Sequence, residues 1–320
     1  MSNLKVRKIS IADIYSKFGI FIILIIAVCI ASTLSDAFLS PRNLTNILRQ
    51  NAVIMIIAFG AQIVLISGQV DLSAGSVAAF AGVAATMVMA KTGSVPLSVL
   101  VGLLCGAGLG YVNGWVITTC SIPSFIMTLA TQFMARGAIQ ASTNAQPITG
   151  LGKSFAYIGQ GYIGPVPVPI VITLVVLVFC WLLMNRMQLG RYFYAVGGNQ
   201  DAAKASGINT KMVQIKAFVL AGSLAALGGI LLMSRLNSGQ PNGAENYEFD
   251  AITATIIGGT SMNGGVGKVL GTVAGAIFVG ILLNIMTLMD VSAYYQKIVK
   301  GAIIALAVII DVQVRKARKN

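Results

Sequence analysis

One acidic side chain stands at an unusual place in the sequence. Asp71 lies in the segment GQVDLSAGS (68–76), between two apolar runs that are each long enough to cross a lipid bilayer. A carboxylate at that depth is costly and usually serves a function. It can cap the following helix by accepting backbone N–H bonds, or it can contact a polar solute directly. We therefore predict that Gly68, Asp71 and Ser73 lie on a route for such a solute.

A second glycine-rich segment has a similar pattern. The string IIGGTSMNGGVG (256–267) resembles LISGQVDLSAGS (65–76), because each changes from an apolar run to glycine and small polar residues and then returns to an apolar run. Paired interruptions of this kind in the two halves of a transporter often mark the solute path. The sequence thus predicts a weak internal repeat. We therefore predict that the solute path also includes Gly258, Gly259, Thr260 and Asn263.

A short polar helix is predicted between two apolar runs. Within the segment 186–212, Asn199 can cap a helix with its side-chain oxygen and Gly207 can end it. Asp201 lies in the first turn, where the helix dipole favours a negative charge. A helix of about two turns is unstable alone in water, so either the rest of the chain or a partner protein must hold it.

Acidic residues precede another predicted helix. The segment 235–250 carries Glu245, Glu248 and Asp250 after several turn-forming residues. Acids at a helix start are favoured by the helix dipole. The segment is either a solvated loop or a docking surface for an external partner, in which Arg235, Glu245 and Glu248 would make the contacts.

The elements that position these residues are apolar helices. Hydrophobic residues make up 56% of the 320 residues and charged residues only 10%, whereas soluble domains have about 25% charged residues. A helix needs about 20 apolar residues to cross a bilayer. We predict an all-α integral membrane protein with about ten spans, of which the eighth is short and interrupted by glycine. The predicted spans are 18–35, 47–67, 73–90, 95–117, 122–141, 168–185, 213–233, 248–262, 266–288 and 295–312.

The distribution of charge predicts an orientation. The net charge is +13, and the basic residues concentrate at the chain ends and in the segment 186–212. Cytoplasmic loops of membrane proteins carry the excess of Lys and Arg. We therefore place both termini (about 1–17 and 313–320) and 186–212 in the cytoplasm, and the Gly- and Pro-rich loop 142–167 outside. We treat 1–320 as a single membrane domain and expect no nucleic-acid binding.

Missing residue types narrow the chemistry. The chain has no His, which excludes a Ser–His pair and an HExxH zinc site. It also has no GxxxxGK[ST] motif, so it cannot cradle a nucleotide phosphate in that way. The four cysteines lie far apart, as expected of small buried apolar residues. We predict no catalytic residue, no metal and no cofactor.

Several strings resemble one known family. They are similar to the permease subunits of bacterial ribose-type, or monosaccharide, ABC importers, and the similarity runs from about residue 15 to residue 312. One departure is Gln69, where the family usually has Gly. The matching strings are SGQVDLSAGS (67–76), GRYFYAVGGNQDAAKASGIN (190–209), SGQPNGAENYEFDAI (238–252), GGTSMNGGVGKVLGTVAGA (258–276) and YYQKIVKGAIIALAVIID (294–311).

The resemblance implies a type II importer fold in the bacterial inner (plasma) membrane. Two permease copies would form a pore for a small sugar, with ribose favoured. Cytoplasmic ATP-binding subunits would hydrolyse ATP and dock on the coupling helix 199–207, so the chain itself would not be an enzyme. A soluble sugar-binding protein would deliver the sugar from outside. The implied coupling-helix contacts are Gly198, Asn199, Asp201, Ala202, Ala203, Lys204, Ser206 and Gly207.

An alternative function is ion-coupled secondary transport of a small polar solute. Such a transporter needs titratable groups inside the membrane. The predicted spans and their edges offer Asp71, Arg136 and Lys300, none of them plainly paired in the sequence. Uptake that fails on ATP depletion but survives an ionophore would exclude this alternative.

Overall fold

The computed structural model describes residues 11–319, and helices dominate them. One short hairpin, β1 (Tyr162–Ile163) and β2 (Val166–Pro167), is antiparallel, with Tyr162 opposite Pro167. The predicted helical fold is confirmed apart from this hairpin. The described helices are α1 (Ile11–Leu34), α2 (Pro41–Ile66), α3 (Ala74–Thr92), α4 (Val95–Cys120), α5 (Ser124–Thr143), α6 (Gly152–Gln160), α7 (Val168–Asn185), α8 (Gln188–Gly198), α9 (Gln200–Ala205), α10 (Thr210–Leu236), α11 (Tyr247–Ile257), α12 (Val269–Leu288) and α13 (Ala293–Lys319).

Six of the described helices are long and apolar enough to cross a membrane, namely α2, α3, α4, α7, α10 and α12. The total of ten spans stays a prediction. The predicted span 248–262 needs a correction, because α11 covers only 11 residues. That length gives about 16 Å, roughly half of a hydrocarbon core of about 30 Å. The helix ends at Gly258-Gly259, where Gly259 has a φ of 86°.

The predicted terminal tails differ from the observed helices. Residues 1–10, with the basic side chains of Lys5, Arg7 and Lys8, lie outside the described residues. Helix α1 begins at Ile11, and α13 continues to Lys319. Most of each predicted tail that the structure describes is therefore a continuation of a helix rather than a separate segment.

Local sequence explains where the helices begin and end. The hydroxyl of Ser40 accepts a hydrogen bond from Asn43 N and so caps α2. Pro41 follows as the first helical residue, where its missing N–H is not needed. Gly93 ends α3 with a φ of 66°, a conformation that glycine adopts without strain.

Helix α10 lies at the centre of the bundle, and α2, α3 and α4 pack around it. Glycines allow these helices to approach closely. A Cβ on Gly106 of α4 would lie 2.3 Å from Gly222 O, and one on Gly82 of α3 would lie 2.8 Å from Gly229 O. Since both distances are shorter than a van der Waals contact, larger residues would force the helices apart.

Contacts with α10 show at which depth in the bundle α3 begins. Ala78 of α3 packs on Gly229, so Ala74 lies near the height of residue 225. That height is about 22 Å along α10 from its first residue, Thr210. Helix α3 therefore begins inside the bundle and not at its surface.

Three non-helical segments connect helices within the bundle. Segment A (67–73) joins α2 to α3, segment B (237–246) joins α10 to α11, and segment C (258–268) joins α11 to α12. We call the end of the bundle that carries α8 and α9 the α9 end. The opposite end, where α6 packs on the last turn of α10, is the α6 end.

Candidate functional site

Segments A and B meet where α3 begins. Gly239, early in segment B, packs on Thr86 of α3, whereas Ala244 packs on Gly75. The two contacts on α3 are eleven residues apart, which corresponds to about 16 Å. Segment B therefore descends from the α6 end until the first turn of α11 lies beside the first turn of α3. Segment A reaches the same level from the α9 end.

Asp71 holds the start of α3. Its Oδ1 accepts hydrogen bonds from Ser73 N at 2.8 Å and from the Ser73 hydroxyl at 2.6 Å. Asn113 of α4 donates to Ser73 Oγ at 3.1 Å, and Thr131 of α5 donates to the oxygen of Asn113. Asp71 and Ser73 are buried. The predicted cap is therefore made only in part, because Asp71 closes a local turn at Ser73, the residue before α3, and no side chain caps the helix itself. The turn extends into a polar chain that reaches α4 and α5.

Glu248 lies on the opposite side of this meeting point. Its side chain is 2% exposed, and Gln132 of α5 donates to its Oε1 at 3.2 Å. Its second oxygen packs on Gly75, where an added Cβ would lie 2.0 Å away. The predicted docking surface therefore needs a correction, because Glu248 is buried and cannot contact an external partner. Of the other two docking residues, Glu245 is exposed and Arg235 is half-buried.

Helix α5 binds both segments through one row of polar residues. Ser124, Thr128, Gln132, Arg136 and Gln140 are spaced four residues apart, so they form one row of neighbours that winds slowly around the helix. We call these five residues the α5 spine. At segment A, Val70 N donates to Ser124 Oγ at 3.0 Å, and Leu72 N donates to Thr128 Oγ1 at 3.1 Å.

The same spine holds segment B with Arg136 and Gln140, while Gln132 bonds Glu248 in the first turn of α11. Arg136 Nη1 donates to both Pro241 O and Gly243 O at 2.8 Å. Gln140 donates to Asn242 Oδ1 at 2.8 Å. The two bonds of Arg136 satisfy backbone carbonyls that a non-helical segment inside an apolar bundle would otherwise leave unpaired.

The sequence interpretation did not identify this spine. Its signal is a polar residue at every fourth position of a helix whose other outward positions, such as Phe133 and Met134, are large and apolar. Arg136 and Lys300 also need a correction, because the sequence showed no clear partner for either residue and the structure gives each one a partner. Arg136 bonds segment B, and Lys300 forms an ion pair with buried Asp250 at 2.8 Å.

A close contact connects α8 to segments A and C. Gly265 N of segment C donates to Ile66 O at 2.9 Å. Gly197, near the end of α8, packs on the same carbonyl, and a Cβ there would lie 1.8 Å from Ile66 O. We call Ile66, Gly197 and Gly265 the glycine junction. Tyr194 of α8 adds a bond from its hydroxyl to Gly267 O at 2.9 Å, and burial raises the pKa of Tyr194, which keeps this donor protonated.

The two predicted glycine-rich strings end their helices with the same turn. Gly68 and Gly259 have φ values of 80° and 86°. In each turn the glycine N–H donates to the carbonyl three residues earlier, and the next N–H donates to the carbonyl five residues earlier. The two turns thus share a local geometry at equivalent positions of the strings. A repeat of the whole halves stays a prediction.

The predicted path residues of segment C have different surroundings. Gly258 packs closely on Gly271 of α12, and Thr260 is fully buried. Asn263 and Gly259 are exposed. The structure therefore separates the predicted path set into exposed residues (Gly68, Gly259 and Asn263) and packed residues (Asp71, Ser73, Gly258 and Thr260).

Helix α9 has the cap and the end that its sequence predicts. Asn199 Oδ1 accepts from Ala202 N at 2.9 Å, and Gly207 ends the turn with a φ of 81°. One predicted partner contact needs a correction, since Ala203 is 5% exposed and belongs to the main apolar cluster of the bundle. The exposed members of the predicted set are Gly198, Asn199, Asp201, Ala202, Lys204, Ser206 and Gly207.

Sequence comparison with known proteins identifies one family and several similar proteins. Residues 43–308 match the family described as branched-chain amino acid transport system / permease component. The chain is 41% identical to the "Ribose import permease protein RbsC" of Bacillus subtilis (strain 168), and the match covers 95% of each chain. It is also 41% identical to the protein of the same name from Haemophilus influenzae, over 91% of each chain.

A relative with a different sugar in its name is also similar. The "D-allose transport system permease protein AlsC" of Escherichia coli (strain K12) is 33% identical, over 95% of this chain and 94% of the relative. No solved structure matches the chain.

Proposed function

This chain belongs to the family of transport permease components just described, and we propose that it is the membrane-spanning subunit of an ATP-driven importer for a small sugar, with ribose the favoured solute. Relatives 41% identical over nearly the whole chain are named as ribose import permeases. Two other relatives are named as transport permeases for D-allose and for xylose, which are also sugars. The chain would form the translocation path and would hydrolyse no ATP itself.

One structural observation carries this proposal. Two non-helical segments enter the bundle from opposite ends, meet beside Gly75, and are both hydrogen-bonded to the α5 spine. Non-helical backbone at membrane depth is tolerated where protein buries it or where it lines a water-filled cavity. Paired interruptions near the middle of a transporter are also where solutes bind. A pore wall with this construction offers hydrogen-bonding groups to a neutral sugar.

The proposed partners follow from the family and from the exposed residues of α9. Two cytoplasmic ATP-binding subunits would dock on α9, and a sugar-binding protein would dock at the α6 end, where Glu245 and Arg235 remain candidates. A second copy of the chain would complete the pore. The α9 end would face the cytoplasm, with both termini on that side of the inner membrane and ten spans in a type II importer fold.

The glycine junction gives α9 a direct connection to the proposed path. Gly197 lies two residues before Asn199, the cap of α9. It touches Ile66, the last residue of α2 before segment A, and Gly265 in segment C without an intervening side chain. Movement of α9 by the ATP-binding subunits would therefore shift both segments together, as rigid-body alternation of access requires.

Ion-coupled secondary transport is the second candidate function. Buried Asp71, Glu248 and Asp250 favour it, because carboxylates inside the membrane are the groups that carry protons or ions in such proteins. Each of the three already has a partner in Ser73, Gln132 or Lys300.

The deciding experiment is reconstitution. We expect proteoliposomes that contain the chain, its ATP-binding subunit and its binding protein to accumulate labelled ribose with ATP inside and without an ion gradient. Accumulation that requires an ion gradient and ignores ATP would establish the alternative. Tests with D-allose and D-xylose would identify the solute.

The docking of α9 can be tested with an exposed alanine. Ala202→Glu places a charge on the exposed side of α9, so we expect loss of ATPase stimulation by the sugar-loaded binding protein. Ala203 is unsuitable for this test because it is buried. Ala37→Glu is the matched control for co-purification of the ATP-binding subunit, since Ala37 is also exposed but lies in the turn between α1 and α2, at the end of the bundle opposite α9. Only the Ala202→Glu chain should lose this co-purification. Normal stimulation in the Ala202→Glu complex would contradict docking at α9.

A further inference from the structure

Two arginines at the end of helix α7 have no acidic partner. Arg186 follows the last residue of α7, Arg191 lies in the first turn of α8, and both are exposed. Arg191 Nη1 donates to Arg186 O at 3.4 Å, so the two residues meet at one corner of the bundle. Among the residues that the structure describes, only Lys300 and Asp250 form an ion pair. We call Trp181, Arg186 and Arg191 the arginine corner.

The exposed apolar side of α7 runs directly into this corner. Helix α7 is long and apolar enough to cross a membrane. Arg186 comes four residues after exposed Leu182, and its N–H donates to Leu182 O, so it continues the same side of the helix. The 18 residues of α7 span about 27 Å, which nearly equals a hydrocarbon core of about 30 Å. Arg186 therefore lies where the hydrocarbon core meets the lipid headgroups. The exposed apolar residues of this side are Leu174, Val175, Val178, Phe179 and Leu182.

A tryptophan fixes the direction of the Arg186 side chain. The guanidinium carbon of Arg186 lies 5.8 Å from the ring centroid of Trp181, five residues earlier in α7. A cation at this distance from an indole ring is attracted by the electrons of the ring. Trp181 packs on the main apolar cluster of the bundle, which holds the ring in place. The charge of Arg186 is thereby kept close to α7, at a level of the membrane where tryptophan is also enriched.

The chemistry of the arginine corner fits the phosphate group of an anionic lipid. A guanidinium presents a planar set of donors that can bind two oxygens of one phosphate at once. Two guanidinium groups at one corner repel each other, and a phosphate between them replaces this repulsion with attraction. A zwitterionic lipid brings its own cation beside the phosphate, so two arginines favour a lipid with a net negative charge. The acyl chains of such a lipid would cover the exposed Val178, Phe179 and Leu182.

We propose that the arginine corner is a binding site for an anionic phospholipid, whose headgroup bridges α7 and α8. The proposal concerns the lipid around the chain, and it does not depend on which solute the chain transports. Helix α8 carries Arg191 in its first turn and Gly197 of the glycine junction near its other end. A bound headgroup would therefore hold the end of α8 that lies away from the junction, and so limit the tilt of α8 relative to segments A and C.

The test measures which lipid the full chain retains. The purified chain in detergent is mixed with equal amounts of phosphatidylglycerol and phosphatidylcholine that have the same acyl chains, and native mass spectrometry counts the bound molecules of each. The readout is the ratio of bound phosphatidylglycerol to bound phosphatidylcholine, which does not depend on the amount of folded chain in the sample. We expect a several-fold excess of phosphatidylglycerol for the unaltered chain. The ratio should fall several-fold for Arg186→Gln and for Arg191→Gln.

A matched control separates the corner from a general effect of losing one positive charge. Lys211 is exposed in the first turn of α10 and lies outside the arginine corner, so Lys211→Gln should keep the ratio of the unaltered chain. Equal retention of the two lipids by the unaltered chain, or an unchanged ratio in both arginine variants, would overturn the proposal.

Two further outcomes identify other occupants of the corner. If millimolar inorganic phosphate brought the ratio of the unaltered chain to unity, the corner would take free phosphate and the lipid proposal would be wrong. An unchanged ratio in Arg191→Gln together with loss of co-purified ATP-binding subunit would overturn the proposal in favour of a partner contact. Sugar uptake does not enter these measurements, so failure of the proposed function would leave their result unaffected.

Discussion

Segments A and B lie against the same helix but use it in opposite ways. At segment A the α5 spine accepts hydrogen bonds, because the hydroxyls of Ser124 and Thr128 receive backbone N–H groups. At segment B the spine donates, because Arg136 gives two hydrogens to backbone carbonyls. Segment A leads into the start of α3, where N–H groups lack helical partners. Segment B contains Pro241, which offers a carbonyl but no N–H.

The two segments also differ in what else holds them. Segment A adjoins the glycine junction and contains the turn of Asp71, both made by backbone or by near neighbours in the sequence. The first part of segment B pairs with Ile148 through Gly239, but its deeper part depends on long side chains from α5. The comparison indicates that segment A is fixed by shape, whereas segment B can be released by changing a single side chain.

The largest expected effect tests the fixation of segment A by shape. Gly197→Ala would place a methyl group 1.8 Å from Ile66 O, and backbone on both sides leaves little room to relax. We expect ribose uptake to fall below detection and the melting temperature of the purified complex to decrease, since overpacking costs about 1–3 kcal/mol or more.

A glycine in another helix supplies the control for this prediction. Gly108 lies inside α4, and a Cβ there meets nothing within 4 Å. Gly108→Ala should therefore retain uptake and stability. Equal uptake by the two variants would mean that the glycine junction does not position segment A.

The second prediction tests the dependence of segment B on one side chain. Arg136→Met removes the donor to Pro241 O and Gly243 O, and it also removes the cation near buried Glu248. Each buried polar group left unpaired costs about 1–3 kcal/mol. We expect uptake to fall about tenfold or more, which corresponds to about 1.4 kcal/mol or more. The measurement is initial uptake normalised to the amount of assembled complex.

A conservative variant shows whether charge or geometry matters at Arg136. Arg136→Lys keeps the positive charge but cannot offer the planar set of donors that an arginine offers. We therefore expect an intermediate rate. If Arg136→Met transported ribose at the unaltered rate, segment B would be held by its backbone in the way that segment A is.

Local features of both segments could be predicted from the sequence, because they depend on residues close in the chain. The cap at Asn199, the glycine turns at Gly68 and Gly259, and the turn that Asp71 closes on Ser73 all involve partners within a few positions. The segment 248–262, predicted as a short span interrupted by glycine, does not cross the bundle. Hydropathy does not show that segment B re-enters the bundle and covers half of its depth before α11 begins.

The partners of segment B could not be predicted in the same way. Arg136 and Pro241 are 105 positions apart, and Gln132 and Glu248 are 116 apart. Glu248 lies in a stretch with the composition of a surface loop, but its carboxylate packs on Gly75 and accepts a bond from Gln132, and both are distant in the sequence. The four-residue spacing of the α5 spine is visible in the sequence. This spacing predicts a row of polar residues on a helix, but it does not predict which segments the row binds.

The smallest expected effect tests the acceptor side of the spine. Thr128→Val keeps the shape of the side chain but removes the oxygen that accepts from Leu72 N. Since the turn between Asp71 and Ser73 and the glycine junction both stay intact, we expect a loss of about 1 kcal/mol and near-normal uptake. Thr287→Val is the control, because Thr287 is exposed and bonds only the carbonyl of Leu283 in its own helix. The measurement is the melting temperature of the two variants in the same detergent. A loss with Thr128→Val as large as that with Arg136→Met would mean that segment A depends on side chains as much as segment B does, and the contrast between them would disappear.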